Sequence, residues 1–174
     1  MKKLIAQKIC IGVADTMFAR GDMGGLAVKT LREYAKQLGK EKQVEVVRVT
    51  VPGFKDLAAA CVRLFEKDKC AIAIALGMVG GEAIDEACAM VADIGLQYAQ
   101  VHAGKHIVGV MVYSNEAKRK DGSIDDAKLA QIMRHRTIEH AKNALDLVLQ
   151  PENLSKKAGT GQRQGGKNAG FVRL

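Results

Sequence analysis

The chain has 174 residues, 48% hydrophobic and 26% charged, with 27 Lys and Arg against 19 Asp and Glu. That apolar fraction and a mean hydropathy of -0.05 exclude a disordered chain. The length suits one domain that buries about two-thirds of its unfolded surface. No apolar run approaches the roughly 20 residues that cross a bilayer, and residues 1–8 (MKKLIAQK) lack the apolar core of a secretory signal.

In chain order, Ile9 to Ala14 is an apolar run that reads as a first strand, closed by the turn-prone Asp15-Thr16. Asp22 is a good N-cap for a helix with Leu26, Ala27, Leu31, Ala35 and Leu38 on one face, stopped by Gly39. Val44 to Val51 is a β-branched second strand ending at the breaker Pro52-Gly53. Leu57, Ala58, Cys61, Leu64 and Phe65 mark a second helix. Ala71 to Leu76 is apolar throughout, as a strand covered on both faces should be. A glycine-containing loop from Gly77 to Gly81 leads into a third helix from about Ala83. Ile107 to Tyr113 is a fourth strand, and a long fourth helix runs from about Ile124 to Leu149, stopping at Pro151.

Four strands alternating with four helices predict an α/β fold with a parallel sheet covered on both faces. Right-handed crossovers favour the strand order 2-1-3-4 and a flavodoxin-like doubly covered sheet. Residues 1–154 form the expected single domain, and 155–174 a basic, glycine-rich tail. That tail carries Lys156, Lys157, Arg163, Lys167 and Arg173 and no acid, so it supplies most of the net charge of +8. A solvated tail is the first reading; an anionic partner such as nucleic acid is the other. Cys10, Cys61, Cys70 and Cys88 include no CxxC spacing, and three sit in apolar runs, which predicts reduced thiols, a cytoplasmic setting and no zinc site.

In open parallel sheets, ligands bind beyond the carboxyl ends of the strands. Here those ends are three loops. Asp15-Thr16-Met17-Phe18-Ala19-Arg20 offers a ring and a cation; the ring can stack on a flat heterocycle or plug the core. Pro52-Gly53-Phe54-Lys55-Asp56 places another ring at a helix N-terminus, where free N–H groups suit polar oxygens and where Asp56 is equally a cap. Gly77-Met78-Val79-Gly80-Gly81 lets a ligand approach the backbone, and matches neither a Walker loop nor GxGxxG. Glu82 and Asp85 are acid–base candidates that also suit a helix dipole. Arg136, Glu139, His140 and Asn143 share one face of the fourth helix, and read on their own as a salt-bridged surface. His102 and His106 straddle Gly104 and make a weak metal signal.

Taken together, these loops resemble the archaeal-type riboflavin synthases, which are related to lumazine synthase. The resemblance rests on residues 15–20 (DTMFAR), 50–57 (TVPGFKDL), 75–80 (ALGMVG), 139–141 (EHA) and 158–165 (AGTGQRQG), and runs over nearly the whole chain. It implies a lumazine-synthase-type subunit in a homo-oligomer, a pentamer, with sites at the subunit interfaces. It further implies that two molecules of 6,7-dimethyl-8-ribityllumazine yield riboflavin and 5-amino-6-(D-ribitylamino)uracil by transfer of a four-carbon unit. No organic cofactor is implied; a divalent ion such as Mg²⁺ assists some members, although the sequence shows no ligand cage.

Lumazine synthases typically carry Arg-Gly-Glu-Thr and then a histidine after the third strand, for a sugar phosphate. Here Gly80-Gly81-Glu82-Ala83-Ile84-Asp85 lacks both arginine and histidine, which favours the riboflavin synthase over a lumazine synthase; a non-enzymatic flavodoxin-like flavin-binding protein is the other alternative, an analogy from fold alone. On the resemblance, Phe18 and Phe54 are expected to stack on the rings, with Thr16 beside them. Backbone groups of Pro52, Gly53, Phe54 and Lys55, and of Gly77, Met78, Val79 and Gly80, are expected on the pyrimidine edge. Lys55 and Asp56 are assigned to ribityl hydroxyls or ring carbonyls. Asp85 and His140 are the proton-transfer candidates, and Arg136 and Lys55 the charge stabilisers. By analogy with lumazine synthase, Ile107 and Val108 of a neighbouring subunit are expected to complete the pocket. No nucleic-acid or membrane partner is expected.

Overall fold

A computed structural model describes residues 8–163 and 167–173. Strands β1 (Ile9–Thr16), β2 (Val44–Val51), β3 (Ile72–Val79) and β4 (Ile107–Tyr113) alternate with helices α1 (Met23–Gln37), α2 (Leu57–Glu66), α3 (Ala83–Ala103) and α4 (Asp126–Leu149); a short α5 (Pro151–Ser155) follows. All pairings are parallel, in the order β2-β1-β3-β4. This is the order that right-handed crossovers predict.

Strand alternation sorts the core into two layers. Ile11, Val13, Ile72, Ile74, Leu76, Met78, Val110 and Val112 face α1 and α4. Ala14, Ala73, Ala75 and Ile107 face α2 and α3 through Leu57, Cys61, Leu64, Phe65 and Leu96. Every residue of β3 is buried, which explains its unbroken apolar run. Gly12 lets Leu64 lie directly on β1, since a Cβ there would meet Leu64 Cδ1 at 2.9 Å.

Three expected boundaries are corrected. Asp15 and Thr16 are not a turn: they extend β1 and pair with Thr50 and Val51. Gly77, Met78 and Val79 are not loop: they continue β3 against Met111, Val112 and Tyr113. These three residues pair with β4 alone, since the β1 ladder ends at Leu76, and Gly80, Gly81 and the N-cap Glu82 form the connection to α3. α4 starts at Asp126, because Ile124 bridges back to Lys118 and Asp125 caps the helix by accepting from Lys128 N at 3.0 Å. Beyond α4, Pro151 occupies the first turn of α5, where its missing N–H costs nothing. Gln164 and Gly165 of the tail motif lie outside the described residues. No helix among the described residues is long and apolar enough to cross a membrane.

Candidate active site

The ends of β1, β2 and β3 are tied into one rim. Met17 N donates to Val51 O at 2.8 Å, joining the β1–α1 loop to β2. Arg20 N points at Met78 Sδ at 3.4 Å, and the Arg20 guanidinium pairs with Asp126 at 3.0 Å. Phe18, carried by this loop, is 54% exposed. Thr16 is buried beneath it, and among the described residues its Oγ1 has no hydrogen-bond partner.

A charged clasp that the loop reading missed holds this rim. Asp15 is buried and accepts from Arg48 Nε at 3.2 Å, Arg48 Nη2 at 2.6 Å and Thr50 Oγ1 at 2.8 Å. Arg48 Nη2 also reaches Asp22, the N-cap of α1, at 2.6 Å. Asp22 in turn accepts from Gly25 N at 2.8 Å. That backbone bond, with the Arg48 guanidinium, holds the Asp22 carboxyl below its ordinary pKa. The available signal was a lone arginine among β-branched residues on the α1 side of β2.

The second loop turns at Gly53 into a single 3₁₀ turn, Phe54–Asp56, which leads directly into α2. Asp56 Oδ2 accepts from Gly53 N at 3.3 Å, closing the turn. Pro52, Lys55 and Asp56 are exposed, and Phe54 is half-buried. Gly77 makes room for it: a Cβ there would lie 3.3 Å from Phe54 Cβ and 2.9 Å from Met111 Sδ. A missing side chain on β3 thereby sets the position of a ring on the β2–α2 loop.

At the third loop, Asp85 folds back over the start of α3 and its Oδ2 accepts from Glu82 N at 3.2 Å. The carboxylate occupies the space a Gly80 side chain would need. Asn115 Nδ2 reaches Glu86 Oε1 at 2.9 Å, linking this loop to the end of β4. Ser114, beside it, is buried with its Oγ unpartnered among the described residues. Like Thr16 Oγ1, it is a hydroxyl at a strand end that the protein itself leaves unsatisfied, a state worth explaining. Ser114 was not among the expected site residues, although it opens the polar loop after β4.

The remaining expected residues lie elsewhere on the same chain. Ile107 is level with Ala73, at the opposite end of the sheet from Val79 and Tyr113, about 20 Å away at ~3.3 Å per residue. Within one chain, Ile107 and Val108 therefore do not line the rim. Arg136 lies along the open edge of β4, donating to Met111 O at 2.8 Å and to both Glu116 oxygens at 2.8 and 2.6 Å. It covers an edge carbonyl that would otherwise lack a partner, and it holds the Glu116 carboxyl below the usual glutamate range. One turn on, His140 Nδ1 lies 2.8 Å from Arg136 O. A carbonyl only accepts, so Nδ1 carries the proton and Nε2 keeps its lone pair. Burial pushes the His140 pKa below 6.5, so the ring is a neutral base at pH 7.

Two open grooves of about 470 and 480 Å³ flank the rim, one lined by Arg20, Met23, Leu129 and Met133, the other by Glu86, Met90, Asp93 and Tyr113. Neither is lined by Phe18 or Phe54, which stand on a surface open to solvent. Among the described residues no three His, Cys, Asp or Glu side chains gather closely enough to hold a metal ion.

A family model described as 6,7-dimethyl-8-ribityllumazine synthase matches residues 8–152. Three curated relatives are each named riboflavin synthase. The protein of Methanothermobacter thermautotrophicus is 38% identical over 93% of this chain and 98% of its own length. That of Archaeoglobus fulgidus is 39% identical over 93% and 97%, and that of Aeropyrum pernix 38% identical over 94% and 98%. Together with the parallel sheet and the rim of loops at its carboxyl end, these matches establish that the chain belongs to the 6,7-dimethyl-8-ribityllumazine synthase family.

Proposed function

We propose that this protein is a riboflavin synthase, a transferase of riboflavin biosynthesis. It converts two molecules of 6,7-dimethyl-8-ribityllumazine into riboflavin and 5-amino-6-(D-ribitylamino)uracil by moving a four-carbon unit from one to the other. The observation that carries this reading is the pair of rings at the rim: Phe18 exposed on the β1 loop and Phe54 braced over Gly77 on the β2 loop. They offer apolar faces to flat heterocycles, while Gly80–Ala83 offers no cation for a phosphate.

The chemistry is mostly positioning. Two lumazine rings held face to face near contact distance gain roughly 7–11 kcal/mol of barrier reduction over free encounter. The N–H groups of Phe54 and Lys55, in the turn leading into α2, suit the pyrimidine carbonyls. The exposed Lys55 and Asp56 reach ribityl hydroxyls. The Thr16 hydroxyl, at the base of the β1–α1 loop and without a partner among the described residues, is the group a ring edge would satisfy. Removal of a methyl proton and protonation of the departing amine fall to Asp85 and to His140, whose Nε2 is available as a base. Arg136 supports His140 through its own backbone carbonyl. The reaction runs without an organic cofactor, and the protein works in the cytoplasm.

Ile107, Val108 and His140 do not belong to the rim of their own chain, so they serve a site only when copies assemble. We assign the assembly as a pentamer with each site between neighbours. Its support is α3: Ile84, Val91, Ile94, Tyr98 and Val101 are all more than 60% exposed. They fall on the a and d positions of successive heptads, the stripe by which helices pack on one another.

The decisive experiment incubates the protein with the lumazine alone. Riboflavin and the diaminouracil product in equal amounts, from two lumazines consumed, are expected. A lumazine synthase or a passive flavin binder leaves the substrate unchanged, and that result overturns the assignment.

A further inference from the structure

The four cysteines show no paired spacing in the sequence, yet the fold brings two of them together. Cys10, the second residue of β1, and Cys70, just before β3, have their sulfurs 2.8 Å apart. Neither forms a disulfide; both are free thiols. Their closeness is fixed by the backbone on both sides. Ala71 N donates to Cys10 O at 2.8 Å, and Cys70 N to Leu64 O at 3.0 Å. Lys105 Nζ donates to Cys70 O at 2.8 Å, and Lys69 takes a left-handed φ of 55° to turn the chain into this position. Cys70 is fully buried, whereas Cys10 is partly exposed.

From this geometry we infer that Cys10 and Cys70 are a dithiol modification site, which a hydroperoxide or a small-molecule disulfide converts to an intrachain disulfide. Shortening the sulfur separation by less than 1 Å reaches the bond length of about 2.0 Å. Cys10 meets the oxidant, because it is the exposed partner. Its thiolate attacks one oxygen of hydrogen peroxide: an S–O bond forms, the O–O bond breaks, and hydroxide leaves to become water. The Cys70 sulfur then attacks the Cys10 sulfur and displaces hydroxide, which takes the Cys70 proton as a second water. Two thiols are oxidised and one peroxide is reduced.

Burial raises the pKa of both thiols; Asp68 adds to this at both and Glu45 at Cys10, while Lys105 opposes it. The bridge therefore forms over a longer exposure than at an activated thiol. It links β1 to β3 across a long loop, which restricts the unfolded chain. It lies at the amino ends of the strands, away from Phe18 and Phe54, so it stabilises without reaching the rim.

The test treats the purified full-length protein with hydrogen peroxide and, separately, with oxidised glutathione, then blocks remaining thiols and maps peptides without reduction. The expected result is loss of two of the four titratable thiols, with the Cys10 and Cys70 peptides joined within one chain. The thermal midpoint should rise and fall back on reduction, while lumazine turnover stays constant. Cys10→Ser should abolish the cross-link and the shift and leave Cys61 and Cys88 unmodified. A Cys10 that stops at a mixed disulfide or a sulfinic acid overturns the proposal. So does a Cys70 that remains titratable, or a cross-link that joins two chains.

Discussion

Gly77 and Phe54 show how one missing methyl sets the position of a ring. With Phe54 Cβ 3.3 Å and Met111 Sδ 2.9 Å from the place a Cβ would take, Gly77→Ala forces the ring outward or Met111 aside. Overpacking of this kind costs about 1–3 kcal/mol, and Met111 can yield part of it. Phe54→Ala instead removes the stacking face, which is worth about 0.5–1.5 kcal/mol beyond burial. Steady-state kinetics should show KM for the lumazine rising roughly two- to tenfold in Phe54→Ala, at about 1.4 kcal/mol per tenfold. Gly77→Ala should also raise KM while keeping the ring. If neither variant moves KM, Phe54 does not touch substrate. On acidification Glu116 loses its contribution to stability, and so does His140. Its folded pKa lies below 6.5 because burial disfavours the cation. The unfolded chain therefore binds the extra proton first, and this stability is present above pH 6.5 and lost as pH falls through the folded value. Glu116, held below its ordinary 4.5 by Arg136, loses its contribution only at lower pH. In an acid titration the thermal midpoint should thus begin to fall below pH 6.5, and His140→Gln should lose this onset.

The clasp of Asp15, Arg48 and Asp22 joins three elements: β1, β2 and the N-terminus of α1. α1 approaches closely enough for this only because Gly24 has no side chain; a Cβ would run into the Asp15 carboxylate and lie 2.6 Å from Arg48 Nε. Arg48→Met leaves a buried carboxylate with Thr50 Oγ1 as its remaining side-chain partner. Removing one partner of a buried pair costs about 3–5 kcal/mol, toward the low end here because Arg48 is partly exposed. Denaturant unfolding should show that loss, and kcat/KM should fall with it, since the loop bearing Phe18 starts at Asp15. Full stability in Arg48→Met would mean the clasp is ornamental. The strands, helices and sheet order were legible because hydrophobic periodicity is local and crossover handedness leaves few choices. The length of β3 was not: Gly77 reads as a turn residue, and only its pairing with Met111 shows it to be a strand residue chosen for its missing side chain. The clasp and the thiol pair were illegible for another reason. Asp15 and Arg48 are 33 residues apart, and Cys10 and Cys70 are 60 apart, so no local pattern records that they meet.

At the scale of the whole molecule, the expected site residues divide between two surfaces. Thr16, Phe18, residues 52–56, Gly80 and Asp85 share the carboxyl rim, whereas Ile107, Val108, Arg136 and His140 follow the β4 flank. A single chain leaves the rim open, and reacting lumazines there would stay in contact with water. Joining one chain's rim to a neighbour's flank supplies both the missing walls and a neutral base. The stripe on α3 can hold such an arrangement. Burying each Ile or Val contributes about 1.5–3 kcal/mol, and the stripe offers four of them, Ile84, Val91, Ile94 and Val101, beside Tyr98. Introducing charge there, as in the double variant Val91→Glu with Ile94→Glu, places like carboxylates against one another across each contact. Both residues are solvent-exposed in the isolated chain, so the subunit itself should fold and keep its circular-dichroism spectrum. Sedimentation should then report a monomer, and turnover should fall on the order of a hundredfold, the scale of loss expected when reacting groups are displaced by about 1 Å. A variant that remains assembled places the interface elsewhere, and a monomer with full turnover shows that one chain builds the whole site.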